Sequence, residues 1–169
     1  MIRALGSIFV AAGAAAWGYH AATGLKRQVR ALDDLITGLT LLEGELSRTA
    51  PELATLMENL SRRSRGAART LFSGYAGALE RLGERTAAGL WEETVSGLEE
   101  LTGEGKFLLS SLGEVLGRYD CDEQRTAVRA VRERLEDLRR REGENCRLRC
   151  RTCQTVALSG GAFLIILLL

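Results

Sequence analysis

The sequence has few of the residues from which catalytic sites are built. It contains a single histidine, His20, which lies within an apolar stretch near the N terminus. A serine or cysteine nucleophile would therefore lack an imidazole base. Glu43 and Glu45, two apart on a predicted helix, point to different faces and cannot act as a carboxylate pair. These shortages predict that the chain is not an enzyme and binds no cofactor, metal or small-molecule substrate.

A phosphate-binding loop is also missing. The nearest approach is EELTGEGKF at 99–107. Glu100 occupies the first glycine position, and Phe107 stands where a magnesium-binding hydroxyl is needed. We therefore reject a nucleotide site in this chain.

An excess of positive charge is absent as well. Residues 26–151 hold all 22 acidic residues and 22 of the 23 basic ones, so their formal net charge is zero. That balance is unlike a nucleic-acid-binding domain. The basic runs RRSR at 62–65 and RRR at 139–141 are typical of solvated helix faces paired with nearby glutamates, with acidic lipid headgroups or an acidic partner as the alternative. The candidate contact residues are Arg62, Arg63, Arg139 and Arg140.

Long uncharged runs occur at both ends of the chain. Residues 4–25 would rise ~33 Å as a helix, and residues 152–169 would rise ~27 Å. We expect both to span a membrane. A cleavable signal peptide is the alternative for the first segment, and burial in a soluble core is the alternative for the second.

Basic residues flank both runs on the inner side of the chain. Three follow the first run and three precede the second: Lys26, Arg27 and Arg30, then Arg147, Arg149 and Arg151. Such residues prefer the cytoplasmic side of a span. The predicted organisation is a transmembrane segment at 1–25, a cytoplasmic domain at 26–151 and a transmembrane segment at 152–169.

The interior of the chain has helical periodicity throughout. Apolar residues recur at spacings of three and four from Leu32 to Leu46 and from Val128 to Leu138, which predicts two long helices. Shorter amphipathic segments lie at 53–60, 71–82, 90–101 and 107–119. No segment alternates as a strand would. We expect an all-α fold, an antiparallel bundle of about six helices flanked by the two transmembrane helices.

Two segments carry signals for a helix start. Pro51 disfavours helical backbone before it and suits a first turn, and TAPE at 49–52 has the spacing of a capping box. DCDE at 120–123 predicts a second helix start, in which Asp120 caps the helix and the Glu123 side chain accepts a hydrogen bond from the backbone N–H of Asp120. Glycines near 66, 83 and 103 separate the remaining helices.

The cysteines near the end of the chain have a C-x3-C-x2-C spacing, formed by Cys146, Cys150 and Cys153. Radical-SAM enzymes use this spacing for an iron–sulfur cluster, but on a loop after a strand. Here the three thiols share one face of a predicted helix. We interpret them as small apolar residues of a packed stripe, with lipidation as the main alternative.

The segment LGEVLGRYDCDEQ, Leu112–Gln124, carries a family resemblance. Its pattern L-G-x-x-L-G-x-x-D-x-x-x-Q, followed by a long amphipathic helix and an apolar tail, resembles stage III sporulation protein AB of endospore-forming bacteria. LLEGEL before Pro51, LF at 71–72 and Trp91 agree with the family. Its usual turn, similar to Thr-Pro-Leu-Pro, is reduced here to TAPEL.

The resemblance implies a membrane-anchored platform of the apparatus that links mother cell and forespore. Its cytoplasmic bundle would be similar to the domains of the type II secretion platform protein. The implied partners are a secretion-type ATPase, other membrane proteins of the channel and the bilayer of the mother-cell membrane. The alternative is a membrane-tethered helical interaction domain with no secretion role.

Four residues of that segment are candidates for an internal corner of the bundle or for a docking surface. Gly113 and Gly117, one helical turn apart, would let another helix approach closely. Asp120 would cap the last helix. Gln124 would hydrogen-bond back across the corner.

Overall fold

A computed structural model describes the backbone of residues 2–46, 52–118 and 120–168, and the side chains of 23–46, 52–118 and 120–148. Over these ranges it has six α-helices and no strand, so the predicted all-α bundle of about six helices is confirmed. The helices are α1 Ile2–Leu46, α2 Leu53–Arg63, α3 Gly66–Ala78, α4 Ala87–Ser96, α5 Gly103–Ser110 and α6 Cys121–Leu168. Short 3-10 helices follow α3 at Leu79–Arg81 and α5 at Ser111–Glu114.

The chain divides into two compact units. One is Gln28–Arg140, and the other combines Met1–Arg27 with Arg141–Leu169. Among the residues that were described, no helical stretch has both the length and the apolar composition needed to cross a bilayer. The predicted spans at 4–25 and 152–169 lie mostly where side chains are outside that description, so both stay predictions.

The core of Gln28–Arg140 follows the predicted helix seams. The seam residues of both long helices are buried: Leu32, Leu35, Leu39, Leu42 and Leu46 of α1, and Val128, Val131, Leu135 and Leu138 of α6. The segments between them contribute the rest, with Trp91, Tyr75 and Phe72 the largest side chains that are fully buried. Full burial of one such side chain stabilises the fold by about 1.5–3 kcal/mol.

Helix boundaries follow local chemistry. Thr86 and Thr102 precede α4 and α5, and each hydroxyl accepts a hydrogen bond from the backbone N–H three residues on, at 3.2 and 3.3 Å. Gly66, with φ +51°, begins α3 in a conformation that favours glycine. The predicted breaks near Gly66, Gly83 and Gly103 all fall at or between helices. The predicted start at Pro51 lies outside the described residues.

Two predicted seam residues, Phe107 and Leu82, are exposed. Phe107 is 76% exposed, because α5 buries Gly105 and Leu109, and Phe107 lies between them on the opposite side of the helix. Leu82 is 59% exposed. Regular helix ends at Ala78 and the 3-10 turn at Arg81, so Leu82 has extended backbone and has left the helix face.

Candidate interaction surface

The corner before α6 is built around Trp91 of α4. Its indole Nε1 donates a buried hydrogen bond of 2.7 Å to the carbonyl of Leu109 in α5. Its ring meets that of Tyr75 from α3 edge-on, with 4.9 Å between centroids. One tryptophan therefore joins three helices and fixes the position of the segment that follows α5.

Gly113 lies against this tryptophan. A Cβ placed on Gly113 would be 2.8 Å from Cδ1 of Trp91 and 3.2 Å from the carbonyl oxygen of Ala88. The Ala88 oxygen belongs to the backbone, which cannot rotate away from a new Cβ as a side chain can. The close approach expected at Gly113 is therefore present, and α4 is the element that approaches.

Gly117 has a different role from the one predicted. The expectation that Gly113 and Gly117 share a helix face is wrong, because the 3-10 helix ends at Glu114 and turn follows it. Gly117 adopts φ +78°, which L side chains rarely adopt. It is needed for the direction of the turn, although a Cβ there would also be 3.0 Å from Leu53.

Asp120 and Gln124 close the corner. Asp120 immediately precedes α6, and its Oδ1 accepts a 2.8 Å hydrogen bond from the N–H of Cys121. Gln124, one turn into α6, is buried. Its Oε1 accepts the N–H of Gly117 at 3.4 Å. The side chain therefore reaches back across the turn, as the sequence predicted.

A shallow apolar groove of about 560 Å³ opens beside this corner. The residues lining it come from the turn after the second 3-10 helix and from the first turns of α6: Val115, Asp122, Glu123, Thr126, Ala127 and Ala130. The corner thus has an inner side, where Gly113 packs on Trp91, and an outer side with small apolar residues.

The four candidate arginines all form ion pairs within the chain. Arg62 pairs with Glu58 on α2, and Arg140 pairs with Asp137 on α6, so both contacts lie within one helix. Arg63 pairs with Glu45 of α1. Arg139 of α6 pairs with Asp33 of α1 at 2.7 Å. Arg62 and Arg140 are therefore surface groups, whereas Arg63 and Arg139 also join helices.

Sequence reasoning missed the most connected charged residue, Glu43. Its carboxylate is only 13% exposed and faces Arg129, Arg132 and Arg125 of α6 at 2.6, 3.5 and 4.0 Å. Burial opposes its ionisation, but the Arg129 hydrogen bond and the three positive charges together hold the pKa of Glu43 below its ordinary value. The signal was the spacing of these arginines, which places them on one α6 face beside the apolar seam.

The cysteine hypothesis is tested only in part. Cys146 is buried and Cys121 is half-buried at the start of α6. The side chains of Cys150 and Cys153 lie outside the described residues. Where side chains are described, no group of three or more His, Cys, Asp or Glu residues could hold a metal ion.

Comparison with known proteins gives two matches. A family model described as stage III sporulation protein AB matches residues 3–169. A solved structure of stage III sporulation protein AB matches with a TM-score of 0.63 and 22% sequence identity, over 72% of this chain and 97% of that chain. At that identity the structural likeness concerns the fold alone. No curated protein matches the sequence.

Proposed function

The chain belongs to the stage III sporulation protein AB family, and from this premise we propose that it is the membrane-anchored platform that docks a secretion-type ATPase in the sporulation channel. Family membership makes it a sporulation-associated component. The proposal adds that it acts without chemistry of its own, in the channel between mother cell and forespore. Its partners would be the ATPase and the other membrane proteins of that channel.

The proposed location is the mother-cell membrane. The two apolar ends and their basic inner flanks favour two spans with residues 26–151 in the cytoplasm. A cytoplasmic ATPase would be found in the same compartment.

The observation that supports the proposal is a set of ion pairs between α1 and α6. Glu43 engages three arginines of α6, and Asp33 engages Arg139, so the two long helices are tied at two levels. The same helices extend toward the two apolar ends of the sequence. A bundle tied in this way supports the transmission of force from a bound motor to membrane neighbours.

Arg62 and Arg140 are the favoured docking contacts. Their side chains are 72% and 70% exposed, and each pairs with a carboxylate on its own helix. Exposed pairs of this kind contribute little to stability, about 0.3–0.5 kcal/mol for a helical i,i+4 pair. Their charges are therefore available to an acidic surface of a partner.

The test is binding of the cognate ATPase to the full chain in reconstituted membranes, with the other channel components added in turn. Arg62→Glu and Arg140→Glu should each weaken binding and make it less sensitive to salt, because rim charges act through screened attraction. Arg69→Glu, at an exposed position of α3, is the matched control and should bind as the unaltered chain does.

Arg63→Glu and Arg139→Glu form a separate pair of variants, because each also breaks an ion pair between helices. Loss of ATPase binding there counts only if the thermal midpoint is unchanged. Absence of any interaction between ATPase and chain, alone or with the other components, would refute the platform mechanism. The tethered interaction domain would then be the better description.

A further inference from the structure

The zero net charge of residues 26–151 is the sum of two regions of opposite charge. The five residues after the first apolar run, 26–30, and the five before the second, 147–151, hold six basic residues and no acidic one. We call these ten residues the basic collar. The remaining residues, 31–146, hold 22 acidic residues and 16 basic ones, a formal net charge of −6. Positive charge is therefore concentrated at the two predicted membrane boundaries.

The basic side chains of the collar also differ from most others in their partners. Ten arginines between residues 62 and 140 form ion pairs with acidic side chains. Four collar side chains are described: Lys26, Arg27, Arg30 and Arg147. All four are exposed, and none has an ion pair with a side chain in the described part of the chain. Their charge is therefore available to an external anion.

The predicted spans place the collar at the depth of the lipid headgroups. Every collar residue lies within five residues of an apolar run, a rise of about 7.5 Å along a helix. Helical backbone continues through both parts of the collar, since α1 is Ile2–Leu46 and α6 is Cys121–Leu168. The headgroup layer of each leaflet is about 5–8 Å thick. Lipid phosphates are therefore the first anions that these side chains meet.

We propose that the basic collar binds the headgroups of anionic phospholipids, with its lysine and arginines donating hydrogen bonds to phosphate oxygens. This inference rests on the proposed membrane location and adds the class of lipid that the chain selects there. Zwitterionic lipid also carries phosphate, but its net charge is zero, so it attracts the collar less. Residues 31–146 carry net negative charge and would be repelled by anionic lipid, so the attraction is confined to the collar.

A lipid surface fits the collar better than a soluble anion. The two parts of the collar lie at opposite ends of residues 26–151, and each adjoins an apolar run. A bilayer contacts both parts without requiring any fixed geometry between them. The four described side chains are exposed, whereas a site for a free phosphate ion would enclose the anion in a pocket.

The experiment uses the full chain in nanodiscs with equal amounts of phosphatidylglycerol and phosphatidylcholine that have the same acyl chains. Nanodiscs expose both membrane faces, so the direction of insertion does not affect the result. After mild detergent extraction, mass spectrometry counts the lipids that stay bound. Phosphatidylglycerol should exceed phosphatidylcholine at least about threefold, and the excess should fall as salt is raised, because salt screens the attraction.

Two double variants remove the same charge from different places. Arg27→Gln with Arg147→Gln changes the collar and should reduce the excess of phosphatidylglycerol at least about twofold. The matched control is Arg69→Gln with Arg134→Gln, two exposed arginines of the bundle that also have no ion pair with a described side chain. Arg134 precedes the second apolar run by 18 residues, a rise of ~27 Å, which is beyond the screening length of about 8–10 Å. The control should keep the full excess.

A conservative variant separates charge from structure. Arg27→Lys with Arg147→Lys keeps both positive charges and should retain the excess of phosphatidylglycerol, because attraction to an anionic surface depends on charge. Circular dichroism checks that every variant is folded.

Equal retention of the two lipids, or equal effects of the collar variant and its control, would overturn the proposal. So would a loss of the excess in inorganic phosphate that sodium chloride of the same ionic strength does not cause, because the collar would then be a site for the free ion. A chain that does not enter nanodiscs would refute the proposed membrane location together with this inference. Entry without a lipid preference would refute this inference alone.

Discussion

Glu43 of α1 and Arg129 of α6, 86 residues apart in the chain, form a two-donor contact in which Nε and Nη2 of the guanidinium reach the same carboxylate oxygen at 2.8 and 2.6 Å. Arg132 and Arg125 approach the same carboxylate. This one side chain therefore gathers three positive charges at the junction of the two long helices. Its removal leaves all three without their shared partner.

Glu43→Gln should lower the free energy of unfolding by about 1–2 kcal/mol, because a largely buried charged acceptor is lost but Arg129 and Arg125 are 50% and 42% exposed to water. Glu133→Gln, an exposed position of the same bundle, is the control and should change it by less than about 0.5 kcal/mol. Denaturant titration of the solubilised chain, followed by circular dichroism, gives both values. Equal effects would show that the cluster contributes no net stability.

The same residue predicts a dependence on acid. The folded-state pKa of Glu43 lies below its ordinary value of 4.5. Its contribution is therefore present above that value and is lost as pH falls through the folded-state pKa. The stability difference between the unaltered chain and Glu43→Gln should stay constant from neutrality to about pH 4.5 and should shrink as the pH falls further. A difference that stays constant in acid would contradict this assignment.

Tyr75 predicts a dependence on alkali. Burial raises the pKa of its hydroxyl to about 12, against about 10 in an unfolded chain. The contribution is complete below about pH 10 and is lost as pH rises toward 12, at up to about 1.4 kcal/mol per pH unit. Tyr75→Phe should lose this component of alkaline unfolding. The variant also loses the 3.3 Å hydrogen bond from the Tyr75 hydroxyl to the carbonyl of Ala87, which lowers stability at every pH. The comparison is therefore between the slopes of unfolding free energy against pH for the two proteins, measured between about pH 10 and 12.

Gly113 and Gly143 form a matched pair of glycines. Gly113→Ala should destabilise the chain by about 1–3 kcal/mol, because the new Cβ meets Trp91 and the backbone of Ala88. Gly143→Ala meets nothing within 4 Å. It should be neutral or stabilising by up to about 1 kcal/mol, since alanine favours helix. Thermal unfolding of the two variants measures the contrast, and similar midpoints would refute the close approach at Gly113.

The membrane topology is tested by cysteine accessibility in intact cells. Single cysteines placed at exposed positions of 26–151 should be protected from an impermeant reagent and should react after the membrane is opened. We expect this because lysine and arginine next to a membrane span prefer the cytoplasmic side. Labelling of that region from outside would overturn the predicted orientation.

Much of the fold could be predicted because helix seams are local patterns. The seams from Leu32 to Leu46 and from Val128 to Leu138 are buried throughout. Phe107 and Leu82 could not be placed this way. The sequence does not show which side of the short helix α5 faces the core. In the structure Gly105 and Leu109 face inward, so Phe107 is on the exposed side.

The candidate site divides in the same manner. Gln124 makes a contact only seven residues away, so spacing was sufficient to predict that it reaches back across the corner. Asp120 precedes α6, but its Oδ1 accepts from the adjacent N–H of Cys121, whereas a capping side chain accepts from an N–H two or three residues on. The sequence wrongly predicted that Gly117 lies within a helix, which in the structure ends at Glu114. Leucines and glycines at spacings of three and four do not distinguish a short 3-10 helix from a longer α-helix.

The sequence by itself determined the all-α class, the approximate number of helices, the family and the charge balance, since composition, periodicity and short motifs are carried by neighbouring residues. Tertiary structure alone decided which arginines join helices and that Glu43 collects three of them. Those relationships connect residues tens of positions apart. They depend on how the helices are placed against one another, and no local pattern encodes that placement.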